Sequence, residues 1–401
     1  MTRFIYVTSF CVLVLAIVSW WFDHATLKWD DENAPPSLTP EEIESLKKEQ
    51  FPWLNAESRR LYADLYQITS QDEVARQLQT KNIWANYARI WEGECAPLDG
   101  LNASKVDELL LWTFRFRYNM FHHVERYSEL SERRMIDFIY HSEAIEGGTL
   151  RWDQVAAILA KSVLEGAASV PDMESAMRHA TAIETLYDSH QNAPNNPWTF
   201  TDRFILELHT KFFPSLHPKD SKATTFRQPE FRQDNVKVGF SKVLMPEALE
   251  VPSLMRSLNE WMKNCSSELS NAATNRSVLF FRFGYQYPSL DELKQDDHHA
   301  VPSLVMPIVY AANFHQKFVR IHPFMDGNGR IVRLLMNDLL TKAQYPPIII
   351  PVEDRSVYFE SLQECSTDLG CDLFYNYILD RVFESLKYYA TELANHFPMK
   401  K

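Results

Sequence analysis

Through most of the chain, apolar residues return every three or four positions, the spacing that lines one face of an α-helix. SRRLYADLYQI (58–68) and VDELLLWTFRFRY (106–118) show it early. The same spacing predicts helices over 132–145, 152–163, 172–190, 199–213, 251–264, 303–319, 330–343 and 371–395. In the last of these, Phe374, Ile378, Val382 and Leu386 stand four apart and form one buried face. Only VKVGFSKVLM (236–245) alternates with the two-residue period of a strand, which predicts a short β-hairpin flap. The expected fold class is therefore all-α, with that flap as its one extended element.

Two stretches depart from the helical rhythm. Residues 265–300 pass through a polar run, the aromatics Phe280, Phe281, Phe283, Tyr285 and Tyr287, and the acidic DELKQDD, and read as an insertion. His298 and His299 beside Asp296 and Asp297 have no partner ligands at fixed spacing, so they read as a solvated loop rather than a metal site. At the N-terminus, Phe4 to Phe22 is uncharged, and its roughly 19 residues nearly match a bilayer core of about 30 Å. Arg3 precedes it and Asp23, Asp30, Asp31 and Glu32 follow, so the positive-inside rule puts the N-terminus in the cytosol and the remainder in a lumen or outside the cell. This predicts a single-pass type II membrane protein with an uncleaved anchor; Ala25 offers a cleavage site for the alternative, a removed signal peptide. The resulting organisation is an anchor over 1–31, a Pro-rich linker over 32–40, an N-terminal helical region over 41–130 and a main domain over 131–395.

Composition narrows the function classes. With 45% hydrophobic and 13% aromatic residues among 401, the chain has ample material for a core. A formal charge of -12 argues against a nucleic-acid binder, which needs a basic face to neutralise phosphates. The five cysteines have no CxxC spacing, so neither a zinc site nor a disulfide-dense scaffold is expected. The triplets Asn102-Ala-Ser104, Asn264-Cys-Ser266 and Asn275-Arg-Ser277 fit N-glycosylation acceptors and hence a secretory lumen, though any one of them also reads as an ordinary polar loop.

The chemistry concentrates between two predicted helices, in Ile321-His-Pro-Phe-Met-Asp-Gly-Asn-Gly-Arg330-Ile-Val-Arg333. Pro323 ends one helix and Gly329 opens the next, so the segment is a loop feeding a helix N-terminus. The first amides of such a helix have no intrahelical acceptor, and Gly327 and Gly329 let the backbone approach an anion such as a phosphate chain. Arg330 and Arg333, three apart, share a face and can add charge-assisted contacts. Asp326 is a hard oxygen ligand suited to Mg²⁺, which takes only one or two protein carboxylates beside phosphates. His322, ordinarily titrating near pH 6.5, suits a general base for a hydroxyl. Phe324 reads as a core anchor that aims the loop.

Together these residues spell HPFMDGNGRxxR, which resembles without mismatch the signature HxFx(D/E)GNGRxxR of Fic-domain proteins. VRIHPF before it, RLLMN after it, and YPPIII followed by Arg355, Tyr358 and Phe359 are similar to the animal endoplasmic-reticulum Fic enzymes over roughly residues 131–395. The resemblance implies a helical Fic fold and transfer of AMP from ATP to a Ser, Thr or Tyr hydroxyl of a target protein. His322 is then the base and Asp326 the Mg²⁺ ligand. Asp326, Gly327, Asn328, Gly329, Arg330, Ile331, Val332 and Arg333 form the nucleotide cradle, and Val238, Gly239, Phe240 and Ser241 the flap that covers the nucleotide and aligns the target. Tyr358 is placed near the adenine or ribose. Cys365-Ser366 departs from the family's frequent Ala-Asn, whose Asn commonly contacts the nucleotide; other phosphate-containing donors stay open on that account.

Ser142-Glu-Ala-Ile-Glu146-Gly147 resembles the family's inhibitory pattern (S/T)xxxE(G/N), which implies that Glu146 pairs with Arg333 and denies it to the ATP γ-phosphate. Gly148 replaces the usual Asn after it. In animal relatives this glutamate also helps remove AMP from a lumenal Hsp70 chaperone, and homodimers are common. The resemblance therefore carries three expectations: an AMP transferase restrained by Glu146, an enzyme at the same site that mainly removes AMP, or a Fic-fold scaffold with little catalysis.

Overall fold

The computed structural model describes residues 94–191, 197–213, 230–236, 238, 245–283, 300–365 and 370–395. Ten α-helices run through them: α1 Ala103–His122, α2 Val124–Ile145, α3 Trp152–Leu159, α4 Val170–Gln191, α5 Asp202–Phe212, α6 Val251–Phe283, α7 Ala300–Ile321, α8 Asn328–Lys342, α9 Arg355–Glu364 and α10 Asp372–Asn395. Short 3₁₀ turns at Ala248–Glu250 and Val352–Asp354 lead into α6 and α9. No strand occurs among the described residues.

Helix α7 is the hub. Leu304, Val305, Ile308, Val309, Tyr310, Ala311, Phe314 and Phe318 are all buried, and so are the polar Asn313, His315, Gln316 and Lys317, so the helix is enclosed by neighbours on every side. It packs against α1, α6, α8 and α10. Helix α8 lies beside it with Ile331, Val332, Leu334, Leu335, Met336 and Leu339 in the same core. Two buried side chains tie the hub to its surroundings: the Tyr310 hydroxyl donates to the Trp198 carbonyl at 2.8 Å, and Tyr345 to the Leu304 carbonyl. Helix α2 crosses the start of α8 and also meets α3 and α4, which brings its C-terminal end to the signature loop.

Several boundaries differ from the periodicity reading. The helix expected over 251–264 continues to Phe283, because Cys265, Leu269 and Ala272 extend the buried face begun by Met255, Leu258 and Met262. The first part of the stretch read as a break is thus helical. Helix α9 was absent from the pattern reading, since only Tyr358 and Ser361 of its residues are buried. In the segment expected to form a hairpin, Val236, Val238 and Met245 are irregular backbone; the other flap residues named above, Gly239, Phe240 and Ser241, lie outside the described residues. Among the described residues flanking that segment, the Arg232 side chain donates to the Pro246 carbonyl and the Asn235 side chain accepts from the Ala248 N–H. The anchor, the linker, most of 41–130, His298, His299 and Ser366 also lie outside them. Among the described residues no helix is long and apolar enough to cross a membrane.

The cysteines pair although the chain is not a disulfide-dense scaffold. Cys95 and Cys265, 170 residues apart, form a disulfide, and so do Cys365 and Cys371. Neither pair has a CxxC spacing: the first is brought together by the packing of α6 against the segment before α1, and the second closes the short connection between α9 and α10.

Candidate active site

Helix α7 ends at Ile321, where Pro323 removes the next donor and disfavours helical backbone at the residue before it. His322 accordingly turns to φ 51°, a left-handed conformation uncommon for a residue with a Cβ. The loop then closes on itself: the Asn328 side chain donates to the Phe324 carbonyl at 2.8 Å and accepts from the Phe324 N–H at 3.0 Å. Phe324 is fully buried and stacks on His209 with ring centroids 3.7 Å apart. The His209 Nε2 sits 3.0 Å from the Asp326 carbonyl, an acceptor, so Nε2 carries the proton. Gly327 precedes α8 at φ 84°, and a Cβ there would fall 2.0 Å from the Phe213 ring. Only glycine meets both demands. Helix α8 starts with no side-chain cap, so its first amides stay available to an anion.

His322 Nδ1 lies 3.3 Å from the Val319 carbonyl. A carbonyl only accepts, so in the neutral ring Nδ1 holds the proton and Nε2 keeps its lone pair. Burial pulls the His322 pKa down to about 4; the positive charge of Arg232 works in the same direction, while the Val319 carbonyl, Glu146 and Asp326 act upward. The ring is therefore neutral at pH 7, as a base must be.

The two signature arginines are both engaged. Arg333 is 1% exposed; its Nε donates to the Ser142 hydroxyl at 3.0 Å, and its Nη2 to the Ser142 carbonyl at 2.9 Å and Glu146 Oε1 at 2.8 Å. Ser142 and Glu146 reach the same guanidinium because four residues on a helix place them on one face. Glu146 caps the C-terminus of α2, where Gly147 at φ 98° ends the helix and Arg355 Nε donates to the Ile145 carbonyl at 2.7 Å. Its side chain keeps 31% exposure, against 2% for Arg333, so one partner of the pair is free to swing out while the other stays fixed. A Cβ on Gly329 would come 2.3 Å from Glu146 Oε1, so the glycine is what admits the carboxylate.

Arg330 is held by residues that sequence reasoning did not single out. Its Nη1 donates to Glu143 Oε2 at 3.2 Å and to the Ser175 hydroxyl at 3.0 Å, Nη2 reaches Asp326 at 3.3 Å, and the guanidinium lies over the Phe213 ring. Buried Glu143 also accepts from Ser175 at 2.7 Å and from His179 Nδ1 at 2.9 Å. Burial alone would raise the Glu143 pKa, but the His179 hydrogen bond, the charges of His179 and Arg330 and the Ser175 hydrogen bond bring it down to about 2. It is a fixed anion. Of this set, Glu143 falls inside the six-residue inhibitory pattern but at one of its unspecified positions; Ser175, His179 and Arg232 carry no local signal at all.

Other expected site residues are placed as follows. Asn328, Ile331 and Val332 are buried, the last two in the core; Gly329 and Val238 are half-buried; Asp326 is exposed and accepts from the Gly327 N–H at 2.6 Å. Tyr358 is 1% exposed and its hydroxyl is 2.9 Å from His315 Nε2. Burial lifts its pKa to about 12 despite the neighbouring Arg333 charge. The structure therefore puts Tyr358 behind Arg333 and out of reach of solvent, rather than on an open face where an adenine would lie. Among the described residues no group of three or more His, Cys, Asp or Glu gathers as a metal cluster. Asp326 is thus a single exposed carboxylate beside anion-ready amides, a donor set that fits a Mg²⁺ carried mainly by phosphates and water.

Residues 199–340 match the Fic/DOC family. The chain is 29% identical over 272 residues to the protein adenylyltransferase Fic of Drosophila mojavensis and 30% identical over 272 residues to that of Drosophila willistoni. Each alignment covers 65% of this chain and 43% of the relative, so the chain spans less than half the length of these curated relatives. Among solved structures, a Fic domain containing signaling protein from Bacteroides thetaiotaomicron aligns with a TM-score of 0.54 at 23% identity, covering 72% of this chain and 97% of that one. A Fic-1 fragment from C. elegans aligns with a TM-score of 0.50 at 20% identity, covering 89% and 88%. At such identities these two likenesses speak for the fold. The uninterrupted signature, the all-helical architecture built around it and the match over residues 199–340 converge on a Fic/DOC domain within this chain.

Proposed function

We propose that the protein is an adenylyltransferase that moves AMP from ATP to a hydroxyl of another protein, and that Glu146 restrains it. The observation that carries this reading is the pair of facts at the signature: a neutral His322 with its Nε2 lone pair free of the Val319 contact, and an Arg333 already occupied by a carboxylate. The fly relatives named protein adenylyltransferase Fic support the reaction class.

The phosphate chain lies along the first turn of α8, where the Asn328, Gly329 and Arg330 amides and the Arg330 and Arg333 guanidinium groups meet its charge. Asp326 would hold a Mg²⁺, which would supply charge neutralisation for the phosphates. The target hydroxyl oxygen forms a bond to the α-phosphorus, the bond from that phosphorus to the β-bridging oxygen breaks, and pyrophosphate leaves with the bond electrons. His322 Nε2 takes the hydroxyl proton. Most of the rate comes from alignment and charge stabilisation, which is why a carboxylate on Arg333 suffices as a brake: it removes a ligand of the γ-phosphate and spoils in-line geometry. The flap segment over 236–245 covers the nucleotide and aligns the target chain.

A second reading at the same site, removal of AMP, is favoured by the half-exposed Glu146 carboxylate, which is available to orient a water. Two disulfides favour an oxidising compartment, in keeping with an N-terminal anchor, a lumenal domain in the endoplasmic reticulum and a glycan at Asn102, which is exposed at the start of α1. A lumenal Hsp70 is the proposed protein substrate and a homodimer the proposed assembly. The test incubates Glu146→Gly with ATP, Mg²⁺ and such a chaperone, and looks for AMP on a hydroxyl by tandem mass spectrometry. An adduct is expected; bound ATP with no adduct on any added protein overturns the proposal.

A further inference from the structure

The ends of the 236–245 segment and the loop that carries His322 meet at one buried side chain. Arg232 is 4% exposed and lies 90 residues before His322 in the chain. Its backbone N–H donates to the Pro323 carbonyl at 2.9 Å and its Nε to the His322 carbonyl at 2.8 Å. Its Nη1 donates to the Asp234 carbonyl at 2.9 Å and its Nη2 to the Pro246 carbonyl. Asn235 adds a second tie between the same two ends, its Oδ1 accepting from the Ala248 N–H at 2.7 Å.

The loop needs such a support. His322 stands at φ 51°, the side chain before a proline is crowded by the ring, and Pro323 has no N–H with which to brace the turn. Both carbonyls of this strained pair are satisfied by Arg232, one through the backbone and one through the side chain. A planar fork with donors in several fixed directions does what a lysine, a single flexible point charge, does not.

We propose that Arg232 is a positioning residue for the transfer reaction: it holds the carbonyls of left-handed His322 and of Pro323 and ties that turn to the Asp234 and Pro246 carbonyls, so that His322 Nε2 is kept where it takes the proton of the target hydroxyl. The inference rests on the adenylyl-transfer reading. The bonds of Arg232 described above run to the His322–Pro323 turn, Asp234 and Pro246, so its loss should disturb the attack and leave nucleotide binding in place.

The experiment uses the full chain carrying Glu146→Gly, with Arg232→Lys and Arg232→Ala added separately. It measures ATP affinity by calorimetry, kcat for AMP transfer, and hydrogen exchange at the His322 and Phe324 amides. Expected are ATP affinities within about twofold of the parent, a kcat lower by about 30-fold or more in both variants, as misplacement of about 1 Å can produce, and faster exchange at the two amides. Methylguanidinium should restore part of the activity of Arg232→Ala. A kcat within about threefold of the parent in Arg232→Lys, or affinity falling in step with kcat, overturns the proposal. If Arg232→Ala does not fold, Arg232→Lys decides by the same two measures. If the Glu146→Gly parent transfers no AMP, the functional reading has failed, and the amide exchange still decides whether Arg232 fixes the loop.

Discussion

Lowering the pH separates a base tuned by its surroundings from an ordinary histidine. The structure puts the His322 pKa at about 4, chiefly through burial, against a free value of 6.5. At about pH 5.5 a histidine titrating at 6.5 is only about one-tenth unprotonated, whereas one at about 4 is almost wholly so, a difference of about tenfold in active base. The variant to assay is Glu146→Gly, because it frees Arg333. Removing that carboxylate also removes an upward influence on His322, so its pKa there should sit no higher than in the wild type. The prediction is a kcat/KM for AMP transfer with no loss from His322 between about pH 8 and pH 5 and a fall only toward pH 4. ATP affinity measured across the same series removes the contribution of the nucleotide's own ionisation. An inflection near pH 6.5 that belongs to the enzyme would refute the reasoning. The same shift has a stability consequence with a definite sign. The unfolded chain takes up the proton first as pH falls, so stability present above about 6.5 drains away down to about 4, at most about 3 kcal/mol for this half-buried ring. Urea unfolding at pH 7 and pH 4.5, compared with His322→Asn, reads that term directly.

Three further expectations follow from the packing. Glu143→Gln leaves the buried Arg330 with only the exposed Asp326 carboxylate as a counter-charge and should lower stability by about 3 kcal/mol, read as a shifted denaturation midpoint at unchanged m-value; an unshifted midpoint would show that Arg330 does not depend on Glu143. Gly327→Ala should cost clearly more than Gly147→Ala. Both sit at positive φ, about 1 kcal/mol for a Cβ, but only at Gly327 does the Cβ strike a ring, at 2.0 Å from Phe213; equal losses would contradict this. Cys95→Ser opens a loop of 170 residues and should cost up to about 5 kcal/mol on loop entropy, compared by thermal unfolding with and without reductant; a midpoint insensitive to both would mean the bond is absent in solution.

How far the sequence reveals this site depends on how local each part is. The loop and the start of α8 are contiguous, so the arrangement of His322, Asp326, Arg330 and Arg333 is legible as a string. The Glu146 pattern is legible because the i and i+4 positions of one helix face a single guanidinium. Glu143, His179 and Ser175 are not, since they come together only where α2 meets α4, and each alone is an ordinary helical residue. Arg232 is hidden for the same reason, its role consisting of bonds to carbonyls 90 residues away. Amphipathic helices such as α10 declare themselves by spacing, whereas α9, with two buried residues, does not. The continuation of α6 past residue 264 was masked by polar side chains on its open face. The Cys95–Cys265 pair gives no sequence signal because tertiary packing, not spacing, sets its approach.

The central claim is that a single carboxylate on Arg333 holds back an otherwise assembled transferase. It is tested most directly by transfer of label from α-³²P-ATP with Mg²⁺ to protein, comparing wild type, Glu146→Gly, and Glu146→Gly with His322→Ala. The account predicts weak labelling by the wild type, strong labelling by the single variant and none by the double variant. Equal labelling by the wild type and Glu146→Gly, or labelling that survives the loss of His322, would contradict it.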